Sequence, residues 1–190
     1  MLRIVILLAL FLFTSLPSFA EPQRYRLDPA ASKVEFTYTL SGTPATGTMP
    51  ISQADLILDF GQVSRSSANV TLNAAGTKTG VVFVTQALKS GDVLDTDQHP
   101  QISFVSRSMS GSVNGAQITG DLTMKGVTKP LTMDAKIYRR AGTESGDLSQ
   151  LTVHLTGTLD RREFGADGYS DLVSPDVELF IIARLDRVDG

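Results

Sequence analysis

Cysteine and tryptophan are absent from this 190-residue sequence, and histidine occurs only at His99 and His154. Without thiols the chain has no disulfide, no thiolate nucleophile or metal ligand, and no redox chemistry of its own. Neither histidine has another at ligand spacing, so a zinc site lacks a ligand set. Basic runs are also missing. With 17 Lys and Arg against 20 Asp and Glu, the net charge is −3, which argues against nucleic acid and against charge-driven binding to anionic membranes. No G-x-S-x-G elbow and no S-x-x-K occurs, so no activated serine is signalled. Asp92, Asp95 and Asp97 lack the spacing of a calcium loop. Gly76-Thr77-Lys78-Thr79-Gly80 lacks the Gly-Lys-Ser/Thr of a phosphate loop. Asn69-Val70-Thr71 matches a glycosylation sequon but falls within an expected strand. No catalytic, metal or covalent-cofactor role is expected.

Long apolar runs are scarce too. The longest, Ile4–Phe13, follows Arg3 and precedes Ser18-Phe19-Ala20. A positive start, a short apolar centre and a small-x-small end describe a cleaved secretory signal over residues 1–20. The run is short of the roughly 20 residues a membrane helix needs. Residues 21–190 are expected to form one exported domain without an integral membrane span, stabilised by packing alone.

What is present is alternation. Lys33–Leu40 places Val34, Phe36, Tyr38 and Leu40 on one face and polar residues on the other. Similar runs are Ala54–Phe60, Ala68–Ala75, Gln101–Met109, Ala116–Met124, Leu131–Tyr138, Leu151–Leu159 and Val177–Leu185. Turn segments rich in Gly, Asn, Asp and Pro separate them: SGTPATG, NAAG, VNG, KGVTKP, AGTESG and GADG. Roughly eight strands with short turns and one apolar face each predict an all-β, antiparallel sandwich or barrel. Thr79–Asp95 departs from this pattern, and its apolar spacing predicts a short helix around Thr85–Lys89 with a further turn at Asp92–Asp95.

An eight-stranded barrel either fills its interior with side chains or holds one small apolar ligand. Periodicity does not separate the two. The inward set includes Phe36, Tyr38, Leu72, Phe104, Leu122, Met124, Leu131 and Met133, and methionines adapt well to irregular apolar ligands. Arg161 and Arg162, before Phe164-Gly165, end a strand where a barrel mouth is expected. There they suit an anionic head group, although solvated arginines or a surface ion pair is the more ordinary reading.

The segment GDLTMKGVTKPLTMDA, Gly120–Ala135, strongly resembles the signature of the YceI-like family of polyisoprenoid-binding, lipocalin-like periplasmic proteins. Other pieces agree in order. Tyr25-Arg26-Leu27-Asp28-Pro29 with Ser32 and Phe36 resembles the family's opening strand. Leu88-Lys89-Ser90 with Asp95, then His99-Pro100-Gln101-Ile102-Ser103-Phe104, resembles its helix and following strand. Arg162-x-Phe164-Gly165 and Val173-Ser174-x-Asp176-Val177-Glu178-Leu179 resemble its final segments. The resemblance implies an eight-stranded lipocalin-like barrel with a short helix, enclosing a pore that holds an isoprenoid tail of quinone or polyprenyl type.

On that reading the tail contacts Val34, Phe36, Tyr38, Leu72, Phe83, Phe104, Leu122, Met124, Leu131, Met133 and Phe180. Arg162, Phe164 and Tyr169 fall at the mouth. The expected partner is a hydrophobic-tailed lipid, and a homodimer is compatible with it. Ala31 and Ala87 stand where many members carry histidine, which implies a different treatment of the polar head. The rival expectation is a filled barrel serving as an interaction module beside a membrane redox complex.

Overall fold

The computed structural model describes residues 21–112, 114–140, 142–144 and 146–188. The expected signal segment, residues 1–20, lies outside them, as do Val113, Ala141 and Ser145 within two of the expected turns. The described chain is an eight-stranded closed antiparallel barrel with one short helix. Several strands are interrupted. β1 (Gln23–Leu27) and β2 (Lys33–Leu40) pair with the same edge of the last strand, β11 (Val173–Arg187), so they are two halves of one stave. Between them Asp28 folds a tight turn, its Oδ1 accepting from the backbone N–H of Ala30 and Ala31. β3 (Thr43–Met49) and β4 (Ile51–Leu58) form the second stave, divided at Pro50, which has no N–H to give. β5 (Ser67–Asn73) and β6 (Lys78–Thr79) form the third.

A helix, α1 (Val82–Lys89), then leads to β7 (Gln101–Ser112), β8 (Gly115–Met124), β9 (Val127–Arg139) and β10 (Gln150–Asp160). Each stave pairs with the next, and β11 closes onto the first. Closure leaves the barrel wall without a continuous free edge. No helix among the described residues is long and apolar enough to cross a membrane.

The alternation expected for β2, β8 and β9 is the burial pattern observed: Val34, Phe36 and Tyr38, then Ile118, Leu122 and Met124, then Leu131, Met133 and Ala135 are buried. Four departures from the expected elements occur. Segment SGTPATG, read as a turn, contributes most of β3, because only Ser41 and Gly42, both at positive φ, make the reversal. Segment KGVTKP is likewise mostly strand. Lys125 (φ 51°) and Gly126 (φ 76°) form a two-residue hairpin loop with both residues left-handed, and β9 begins at Val127. In β7 the pairing register shifts between Ser106 and Ser108, so the inward positions change from Ile102 and Phe104 to Met109. The helix starts at Val82, three residues before the expected Thr85, despite its β-branched first turn.

The barrel's two ends differ. At the base, Tyr25 is 2% exposed, donates its hydroxyl to the Leu148 carbonyl at 2.7 Å and meets Phe60 edge-on. Asp59, 1% exposed, binds the Arg65 guanidinium and the N–H groups of Gly61 and Gln62. The opposite end carries α1, the Lys125-Gly126 loop and the connection from β10 to β11.

Candidate functional site

The interior is hollow. A cavity of about 740 Å³ runs within the barrel, lined by the inward faces of its staves and by one side of α1. Two inward glycines help to keep it open. At Gly47 the Phe36 ring of the neighbouring strand occupies the space a Cβ would need, and at Gly120 a Cβ would fall 2.5 Å from Phe104 Cζ. Both rings therefore lie against the backbone of the adjacent strand. The volume is within the usual range for small-molecule sites.

Ten of the sequence-nominated residues come together around this lumen: Val34, Phe36, Tyr38, Leu72, Phe83, Phe104, Leu122, Met124, Leu131 and Met133. Tyr169 also lines it, from the β10–β11 connection. Three others are placed differently. Phe180 lies on the outer wall, 39% exposed, opposite Glu35 of β2 and edge-on to His154. The apolar run Leu179–Ala183 carries no alternation, so its phase comes from pairing. Leu179 sits opposite inward Phe36, which turns Phe180 outward.

Arg162 is exposed and forms an ion pair with Asp160 at 2.6 Å. That contact holds the Asp160 carboxyl below its ordinary value and raises the Arg162 guanidinium. Phe164 is 2% exposed and packs in the core rather than along the cavity. Of the two alanines that the resemblance singled out, Ala87 lines the lumen and Ala31 is exposed in the Asp28 turn.

The sequence reading placed Arg162 at the mouth, but it is Arg161 that turns inward to the lumen. Arg161 is 5% exposed and lines the cavity. Its Nε donates to the Ser174 carbonyl, Nη1 to Ala166 and Gly168, and Nη2 to Val173. Burial, its largest influence, lowers the guanidinium pKa, and the charge of Asp167 opposes that shift. These bonds gather residues 166–174 into a fixed loop at the mouth. Asp160 caps the turn Arg161–Phe164 by accepting from Arg162 N–H, which lets neighbouring arginines diverge, one inward and one outward.

The same end holds the lumen's exposed apolar rim. Val82 and Phe83 of α1 are 79% and 74% exposed, and Tyr169 and Leu172 face solvent on the opposing loop. Tyr169 keeps a left-handed backbone (φ 58°), with its carbonyl accepting from Leu172 and Val173 N–H. Such strain in a non-glycine residue persists where surrounding contacts hold it. Lys125 Nζ ties the β8–β9 hairpin to the Gly165 carbonyl at 2.6 Å. No group of three metal-ligating side chains occurs among the described residues.

Comparison with known proteins agrees with this architecture. The chain is similar to protein YceI of Escherichia coli O157:H7, 35% identical over 91 residues, 48% of each chain. It therefore matches about half the length of that relative. A UPF0312 protein of Serratia proteamaculans is 29% identical over 135 residues, covering 71% of this chain and 70% of its own. Among solved structures, Burkholderia cenocepacia BcnA superposes with a TM-score of 0.75 at 21% identity, over 84% of this chain and 99% of its own. A polyisoprenoid binding domain of Saccharophagus degradans gives 0.64 at 11% identity, over 87% and 99%. These two similarities speak for the fold. The family model described as the YceI-like domain matches residues 25–184, nearly the whole barrel, and the chain belongs to that family.

Proposed function

We propose that this protein is an exported, periplasmic carrier or sequestering protein that holds an isoprenoid lipid, of quinone or polyprenyl type, inside its barrel. The observation carrying this reading is the hollow apolar lumen of about 740 Å³, which a filled interaction module does not need. Family membership and the polyisoprenoid binding domain among the similar folds support the ligand class. The signal-like segment Met1–Ala20 supports export.

The mechanism is burial. Each methylene moved from water into the lumen contributes about 0.8 kcal/mol, so a tail of about ten carbons supplies roughly 8 kcal/mol before the costs of association. No acid, base or metal is required. Solvent extraction of the freshly purified protein, followed by mass spectrometry, tests the proposal. A prenyl lipid in stoichiometric amount is expected. Absence of bound lipid, together with no binding of added prenyl quinones, would overturn it.

A further inference from the structure

Almost every side chain around the lumen is apolar, which makes the polar exceptions informative. Ser90 uses its hydroxyl on the Ala87 carbonyl, and Gln86 and Tyr169 are exposed. Two buried polar side chains remain, Tyr38 and Arg161, at 6% and 5% exposure.

The hydroxyl of Tyr38 makes no hydrogen bond with any described residue, in contrast to Tyr25, whose hydroxyl reaches Leu148. Burial raises the Tyr38 pKa, so the phenol is neutral and carries a proton to donate. Arg161 has five N–H donors. Backbone carbonyls of Ser174, Ala166, Gly168 and Val173 take four of them, leaving one on Nη2. No carboxylate pairs with this guanidinium among the described residues. Both side chains open onto the lumen, so a ligand held there can take up the Tyr38 hydroxyl and the spare Arg161 hydrogen.

The register places the two on one stretch of wall. Tyr38 of β2 is opposite Val177 of β11, which is opposite Leu159 of β10. Two strand spacings separate Tyr38 from Leu159, about 10 Å, and Arg161 follows Leu159 by two residues toward the mouth. Both side chains thus line the lumen toward its open end, while its lining beyond them toward the base, with Leu27, Leu56, Leu58 and Leu185, is apolar.

We infer that Tyr38 and Arg161 form a two-donor subsite that binds an oxygen acceptor, carbonyl or phosphoryl, on the head of the isoprenoid ligand. The inference rests on the lipid-carrier reading and adds orientation and head-group class to it. The tail enters first and fills the lumen toward the base. The head stops at the mouth, where the phenol and the spare guanidinium hydrogen donate to its oxygen. Selection then works against headless hydrocarbons, because these leave both donors unsatisfied.

The test compares three ligands of matched tail length on delipidated protein: a prenyl hydrocarbon, a prenyl quinone and a prenyl phosphate. At least one oxygen-bearing ligand is expected to bind about tenfold or more tightly than the hydrocarbon, the worth of one charge-assisted hydrogen bond. Which of the two gains identifies a carbonyl or a phosphoryl acceptor. Tyr38→Phe keeps the ring and removes only the oxygen, and it should reduce this ratio about threefold or more. Arg161→Gln should reduce it by at least as much, leaving only the share that Tyr38 supplies. Because Arg161 also gathers the mouth loop, the side-chain Nη2–H resonance of Arg161 in the unmutated protein gives an independent reading. It should shift with the oxygen-bearing ligand and not with the hydrocarbon. Equal affinity for all three ligands, an unchanged ratio in Tyr38→Phe, or an identical resonance with and without the head group would overturn the subsite while leaving the carrier reading in place. Failure of all three ligands to bind would remove the carrier reading itself.

Discussion

The base and the mouth of this barrel are built from the same staves and solve opposite problems. At the base, polar side chains are satisfied locally: Tyr25 reaches the Leu148 carbonyl, and Asp59 binds Arg65 and two backbone N–H groups. Tyr25 also meets Phe60 edge-on there. At the mouth, apolar side chains face solvent on α1, Tyr169 holds a left-handed backbone, and the Tyr38 hydroxyl has no partner among the described residues. The base supplies stability and the mouth supplies access. A molecule that must stay folded with a hollow centre separates the two functions along the barrel axis.

The separation yields tests of decreasing size. Met133→Glu places a carboxylate in the wall of the lumen, where an unpaired charge is costly. Bound lipid should be absent from the folded variant by mass spectrometry, and retained lipid would displace Met133 from the site. Tyr25→Ala at the base should cost about 3–5 kcal/mol of stability in urea denaturation, with lipid still bound to the folded fraction. Loss of lipid without loss of stability would reverse the roles assigned to the two ends.

Asp59 gives the base a signature in pH. Burial pushes its pKa up, but the Gln62 N–H, the Arg65 guanidinium and the Gly61 N–H outweigh this and hold the carboxyl below its ordinary value. A carboxyl whose folded pKa is depressed contributes stability above its unfolded value, about 3.9. That contribution is lost as pH falls through the lower folded value. Asp59→Asn should therefore flatten the acid limb of a stability–pH curve measured from about pH 5 downward. An unchanged limb would assign acid sensitivity to other groups. The smallest effect on folding is expected for Phe83→Ser, which removes an exposed ring. Stability should stay within about 0.5 kcal/mol, while uptake of a prenyl quinone from vesicles, followed in time, slows. Uptake at the original rate would take Phe83 out of the entry path.

Much of the wall is legible in the sequence because strict alternation survives folding when one face is buried. Val34, Phe36 and Tyr38, and the hairpin residues Leu122, Met124, Leu131 and Met133, are assigned to the interior by alternation alone, and all seven line the lumen. Legibility fails where alternation is absent or interrupted. Thr43–Met49, with its Pro and Gly, looks like a turn, yet it pairs with β2 along its length. The uniform apolarity of Leu179–Ala183 conceals that Phe180 points outward. The register shift in β7 brings Met109 into the core against the parity of Ile102 and Phe104.

By itself the sequence determined the secondary-structure class, the inward faces of the regular strands and the family, since these depend on period-two patterning and on a specific hairpin. Tertiary structure decided three things: that the interior is hollow, that Arg161 turns in while Arg162 turns out, and that the Tyr38 hydroxyl finds no partner among the described residues. Each depends on how far strands stand apart and which atoms meet across them. Alternation records only which side of a sheet a residue occupies, whereas cavity volume and hydrogen-bond satisfaction are set by distances between residues remote in sequence.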